Sequence, residues 1–190
     1  MKKPALALLA ALAAAAPAVS AEEGGKMPAG GEGQMHPPSY VGSPELELLK
    51  GLAGSWVMAG AQEGQEAEGQ EGMPTAAEYR VAANGSVVVE RSFPDTPKEM
   101  ISVYHDRGGK LSMTHYCALA NQPQMSLTSS GEGVLTFELV KGSLESEEMP
   151  HMNGVSIAFD GGDEMSQTWS MFPGSGQETQ THTMHFRRAR

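Results

Sequence analysis

The chain has 190 residues, with 13 Lys and Arg against 23 Asp and Glu and a formal charge of −10. That balance argues against nucleic acid and anionic membrane surfaces as partners, since both require basic patches. The length allows one domain with a real core, and the single cysteine, Cys117, excludes an internal disulfide.

The N-terminus reads as an export signal over residues 1–21. Lys2 and Lys3 open it, Leu6 to Ala16 is an apolar run, Pro17 breaks that run, and Val19-Ser20-Ala21 supplies small residues for cleavage. The apolar run falls short of the roughly 20 residues a membrane span needs. No Cys lies near the cleavage point to carry a lipid. The expectation is an exported protein, periplasmic or secreted, with no membrane insertion after cleavage. Residues 22–43 are rich in Gly, Pro and Glu without apolar periodicity, as in a disordered tether.

The domain is expected over residues 44–190. Ser43 suits an N-cap, Pro44 the first helical position, and Glu45 and Glu47 the first turn. Leu46, Leu49 and Leu52 then share one face of a short helix, which Gly51 and Gly54 terminate.

From there the pattern has period two. Strands are predicted at Ser55–Ala61, Ala76–Ala83, Ser86–Phe93, Met100–Asp106 and Lys110–Cys117. Five more follow at Gln124–Ser129, Val134–Val140, Val155–Asp160, Glu164–Phe172 and Glu178–Arg188. Turn signals separate them, among them Asn84-Gly85, Gly108-Gly109 and Gly161-Gly162. Two acidic connections interrupt the series. Residues 62–75 read as a solvated loop or a flap over a barrel mouth, and residues 141–154 as a second long connection. The predicted fold is all-β: an antiparallel up-and-down β-barrel of about ten strands, with the short N-terminal helix at its closed end. A two-sheet sandwich uses the same strands.

Leu49-x-x-Leu52-x-Gly54-x-Trp56, followed by this meander, resembles the start of a calycin-type domain, the group of lipocalins, fatty-acid-binding proteins and nitrobindin-like haem barrels. The segments Phe93–Met100, Leu111–Cys117 and Asn121–Met125 resemble a bacterial lipocalin-like domain of unknown function. The resemblance covers residues 44–190. It implies a barrel interior able to hold a small apolar molecule, and a structural Trp56 covered by an Arg of the last strand, Arg187 or Arg188. No proximal haem-ligand His matches a motif, so haem does not carry over from the resemblance.

Within Lys110–Cys117 the alternation places Leu111, Met113, His115 and Cys117 on one face, the more apolar and so the inner one. The neighbouring strand offers Met100, Ser102 and Tyr104, or Ile101, Val103 and His105, and its alternation leaves both faces open. On the last strand His182, Met184 and Phe186 form the more apolar face.

Met113, His115, Cys117 and His182 are the ligand types that suit copper. Alternate strand residues lie about 6.6 Å apart, so a second strand would have to complete such a site. Motifs for a serine-hydrolase elbow, a zinc protease, a phosphate loop or a paired-cysteine site are absent from the sequence. The expectation is therefore a non-enzymatic module without a resident cofactor. It would bind a small, largely apolar molecule through Tyr104, Met113, His115, His182 and Met184. Two alternatives stand beside it: a haem or copper barrel, and a filled-core structural or partner-binding envelope protein.

Overall fold

The computed structural model describes residues 39–59, 75–159 and 161–190. The expected signal, most of the tether and nearly all of the 62–75 connection lie outside the described residues.

Helix α1 (Pro44–Lys50) forms for the reasons its sequence contains. The Ser43 hydroxyl accepts the Leu46 N–H at 3.2 Å, Pro44 needs no donor in the first turn, and Glu45 and Glu47 face the positive end of the helix dipole. Leu46 and Leu49 turn inward and are fully buried. The preceding residues, placed in the tether by composition, are tied to the barrel. Tyr40 N–H donates to the Asn84 carbonyl at 2.8 Å, and Ser43 gives its N–H and hydroxyl to Asp106 at 2.8 and 2.7 Å.

Ten strands follow: β1 (Gly54–Met58), β2 (Ala77–Ala82), β3 (Val87–Ser92), β4 (Met100–Arg107), β5 (Lys110–Tyr116), β6 (Gln124–Gly131), β7 (Val134–Leu139), β8 (His151–Phe159), β9 (Glu164–Phe172) and β10 (Gln180–Arg188). Each pairs antiparallel with its sequence neighbour, and β1 closes the ring on β10 from Trp56↔Arg188 to Met58↔Phe186. The fold is a closed up-and-down barrel, and that closure removes the sandwich alternative.

Strand β8 starts at His151, four residues before the predicted Val155. A register shift between Met152 and Gly154 breaks the period-two pattern there and makes the strand read as loop. Gly154 is required at this point, because a Cβ would stand 2.7 Å from the Phe137 carbonyl oxygen.

Burial also settles the faces of β4. Ser102 and Tyr104 are fully buried and point inward, while Val103 and His105 are only half-buried on the other face. Near the helix the barrel is filled with side chains. Trp56, Tyr104, Phe137, Phe186, Met113 and Met125 are all essentially inaccessible, and the Tyr104 and Phe137 rings meet edge-on at 5.6 Å.

Candidate functional site

The two ends of the barrel are built differently. At the helix end, Trp56 donates its indole N–H to the Leu52 carbonyl at 2.8 Å. Arg188 lies over the same ring, with Cζ 4.4 Å from the centroid, and donates to the carbonyls of Ala53 and Gly51 at 2.9 and 3.1 Å. One guanidinium thus covers the indole and satisfies carbonyls left open where the helix stops. Gly54 permits this approach: its φ is +124°, and a Cβ would meet Arg188 Nη1 at 3.2 Å. Of the two arginines expected near Trp56, Arg188 occupies the position, opposite Trp56 in register.

Midway up the barrel the inward row Tyr79, Glu90, Ser102 and His115 runs across four adjacent strands in register. All four are buried. The Glu90 carboxylate accepts from the Tyr104 hydroxyl at 2.6 Å, the Gln167 amide at 2.7 Å and the Ser92 hydroxyl at 3.1 Å. Gln167 also donates to Tyr79 at 2.6 Å, and its oxygen accepts the Trp169 indole N–H at 2.9 Å. Since indole is only a donor, Trp169 fixes which end of the Gln167 amide faces Glu90. Burial, then the charge of Glu90, hold both tyrosines well above the ordinary phenol range, so they remain donors.

The inward row ends at His115. Tyr104 gives its one proton to Glu90 at 2.6 Å. The Ser102 hydroxyl and His115 Nδ1 share a hydrogen bond at 3.0 Å, its direction set by the imidazole tautomer. Nε2 is buried and has no hydrogen-bond partner among the described residues. Burial lowers the His115 pKa to about 4, so the ring is neutral near pH 7. The Trp169 ring covers one side of it, with centroids 4.7 Å apart.

Beyond His115 the inward rows end in softer material. Met58, Met152 and Met184 are half-buried against the core, and Met100, Met171 and Cys117 are half-buried on their own rows. Burial raises the Cys117 pKa against the opposing N–H groups of Leu119 and Ala118, so it is held as a thiol. The links at this rim carry exposed Leu119 and Met149. Two of them, 117–123 and 140–150, enclose a groove of about 550 Å³ that includes Leu119, Leu144, Met149 and Pro150. Asn121 ties the two by donating to the Pro150 carbonyl at 2.9 Å, while its own Oδ1 is buried without a partner among the described residues.

The residues expected at the site therefore separate by depth. Tyr104 and Met113 lie deep in the filled part, His115 is fully buried next to the end of β5, and Met184 is half-buried against the core as the register partner of Gln167. His182 is the register partner of Trp169 on the same inward row, yet it is exposed. Trp169, not His182, meets the His115 ring. Among the described residues no three His, Cys, Asp or Glu side chains gather to hold a metal ion. Glu90, Ser92, Ser102, Gln167, Trp169 and Tyr79 escaped the sequence reading. A signal for Glu90 was present: in Val88-Val89-Glu90-Arg91-Ser92, Glu90 shares its face with Val88 while Arg91 takes the other.

No protein-family model matches the chain, and no curated protein matches it. What fold and site define is a closed ten-stranded antiparallel barrel, filled at the helix end, with a polar row inside that ends in an imidazole nitrogen without a partner among the described residues. A calycin-like fold is consistent with that architecture.

Proposed function

We propose that this chain is an exported binding module that takes a small, largely apolar molecule at the rim end of the barrel, with His115 as its polar anchor. The observation that carries the reading is the buried Nε2 of His115, which lacks a partner among the described residues beside a network whose other members are hydrogen-bonded. A buried polar atom left unpaired is costly, and a ligand group that completes it recovers that cost. The methionines around the rim support an apolar occupant, since thioether side chains adapt their shape at little expense. Trp169 adds a rigid aromatic wall.

Native mass spectrometry of gently purified protein should reveal a retained lipophilic molecule, or a lipophilic fluorescent probe should be taken up and released by competition. A protein that neither carries nor takes up such a molecule would end this reading. Export is tested separately, by fractionating cells that express the full chain.

A haem or copper barrel is the second reading, favoured by one feature: His115 engages Ser102 through Nδ1, and Nε2, when it carries no proton, is the ring atom able to ligate a metal. Haemin or copper would then give a visible absorption band that His115→Ala abolishes.

A further inference from the structure

On the outside of the barrel the cations are not spread evenly. We infer that a second site, separate from the interior, binds a compact multivalent oxyanion, a phosphate or phosphate monoester, in the outer groove lined by Arg107, Lys110 and Lys141. It stands independently of the binding reading above.

The groove, of about 560 Å³, lies against β4, β5, β6 and the turn after β7. Its lining includes His105, Arg107, Lys110 and Lys141, and no Asp or Glu among the described residues. That is unexpected in a chain with 13 basic against 23 acidic residues. Elsewhere Lys50 holds Glu47, Arg91 holds Glu78, Asp95 and Glu99, and Arg188 holds Asp163. Arg107, Lys110 and Lys141 form no such ion pair among the described residues.

Register adds a second observation. Arg107 and Lys110 are partners across the Gly108-Gly109 turn, so two like charges stand directly opposite each other. That placement costs stability, and an anion bound by both recovers the cost. Backbone contacts fix the third cation. The Gln124 carbonyl accepts the Val140 N–H at 2.8 Å, and the Gln124 N–H donates to the Ser143 hydroxyl at 3.3 Å. The turn carrying Lys141 is thereby held on β6, where Arg107 also reaches the Gln124 side-chain oxygen at 3.4 Å. Cations from three elements thus converge, with the hydroxyls of Thr114 and Ser126 beside them.

The surroundings limit the size of the anion. Glu138 is the register partner of Ser126, and Glu147 accepts the Gly142 N–H at 2.6 Å, so carboxylates border the groove on the β7 side. A nucleic acid or an anionic membrane would run onto these acids, whereas a compact anion stays within the acid-free lining. A guanidinium with its paired donors, joined by two ammonium point charges, suits phosphate oxygens.

The experiment titrates inorganic phosphate and phenyl phosphate into the full chain after signal removal, at low ionic strength, followed by amide NMR. Saturable shifts should appear at Ser112, Thr114 and Gly142. Affinity should fall about 3- to 10-fold in Lys110→Gln and in Lys141→Gln. Lys98→Gln, which removes the same charge outside the groove, should leave it unchanged. Lys110→Glu sets a carboxylate opposite Arg107 and should abolish phosphate binding without lowering the melting temperature, which separates a lost site from a damaged barrel.

Tighter binding of phenyl phosphate would identify a monoester of a larger molecule as the ligand, and equal binding would identify free phosphate; either upholds the site. Absence of saturable shifts, or a loss in Lys98→Gln as large as in Lys110→Gln, would overturn it. So would phosphate shifts centred on His115 in place of the groove. The apolar ligand at the rim survives each of the first two results.

Discussion

The helix end and the rim end of this barrel use the same strands and leave opposite balances. At the helix end each exposed need is met: the Trp56 N–H finds Leu52, Arg188 covers the indole and satisfies Gly51 and Ala53, and Ser43 both caps α1 and binds Asp106. At the rim end His115 Nε2 and Asn121 Oδ1 are buried without partners among the described residues. The apolar material around them is half-buried methionine in place of tight aromatic packing. A fully satisfied end sets stability, whereas an end with polar vacancies retains free energy for something else to recover. Glu90 stands between the two, holding Tyr104, Ser92 and Gln167, and through Gln167 also Tyr79, in one network.

Breaking that middle layer should cost most. Glu90→Leu strands several buried donors at once and should lower unfolding free energy by about 3–5 kcal/mol. Glu90→Gln keeps shape and some acceptor capacity and should cost less. Urea unfolding followed by Trp fluorescence measures both, and a near-neutral Glu90→Leu would show that the network is not structural.

The next effect depends on pH. The His115 pKa falls from an ordinary 6.5 to about 4 on folding. The unfolded chain therefore binds the proton first, so the stability this group contributes is present above pH 6.5 and lost as pH falls toward 4. The full loss is about 3 kcal/mol. His115→Phe should flatten that part of the stability profile, and an unchanged slope would locate the acid sensitivity elsewhere.

Arg188→Ala tests the helix end alone. Losing the cation over Trp56 and two hydrogen bonds to carbonyls should cost about 2 kcal/mol, leaving probe uptake at the rim unchanged. A fall in uptake as large as that from His115→Phe would mean the two ends are coupled.

Ser43→Ala is the mildest change, about 1 kcal/mol from the lost cap. It also weakens the hold on Asp106. Burial pushes that carboxyl up, but the Ser43 N–H and hydroxyl and the Tyr40 hydroxyl outweigh it and keep its pKa below the ordinary value. Its contribution is present above the ordinary carboxylate range and lost as pH falls through the lowered folded value. The variant should therefore also reduce loss of stability in the most acidic range, seen as a smaller shift of the melting temperature there.

The legibility of the chain follows the range of the forces involved. Capping by Ser43, the helix start at Pro44, the number of strands and the Gly-x-Trp at the first of them are local effects, dictated by propensity, turn chemistry and period-two patterning. Those were determined by the sequence by itself, as was the inward placement of Met113 and His115 on β5. The start of β8 was obscured because its bulge interrupts the very period that marks a strand.

What the tertiary structure alone decided is which distant residues share a row. Ring closure of β1 on β10 sets Arg188, and not Arg187, over Trp56. The register of β2 to β5 brings Tyr79, Glu90, Ser102 and His115 side by side, and β9 carries Gln167 and Trp169 against them. Trp169, rather than His182, thereby becomes the neighbour of His115. Alternation states that a side chain faces one way or the other, but hydrogen-bond direction and burial exist only after the strands have paired. The burial of His115 Nε2 without a partner among the described residues is a product of that pairing.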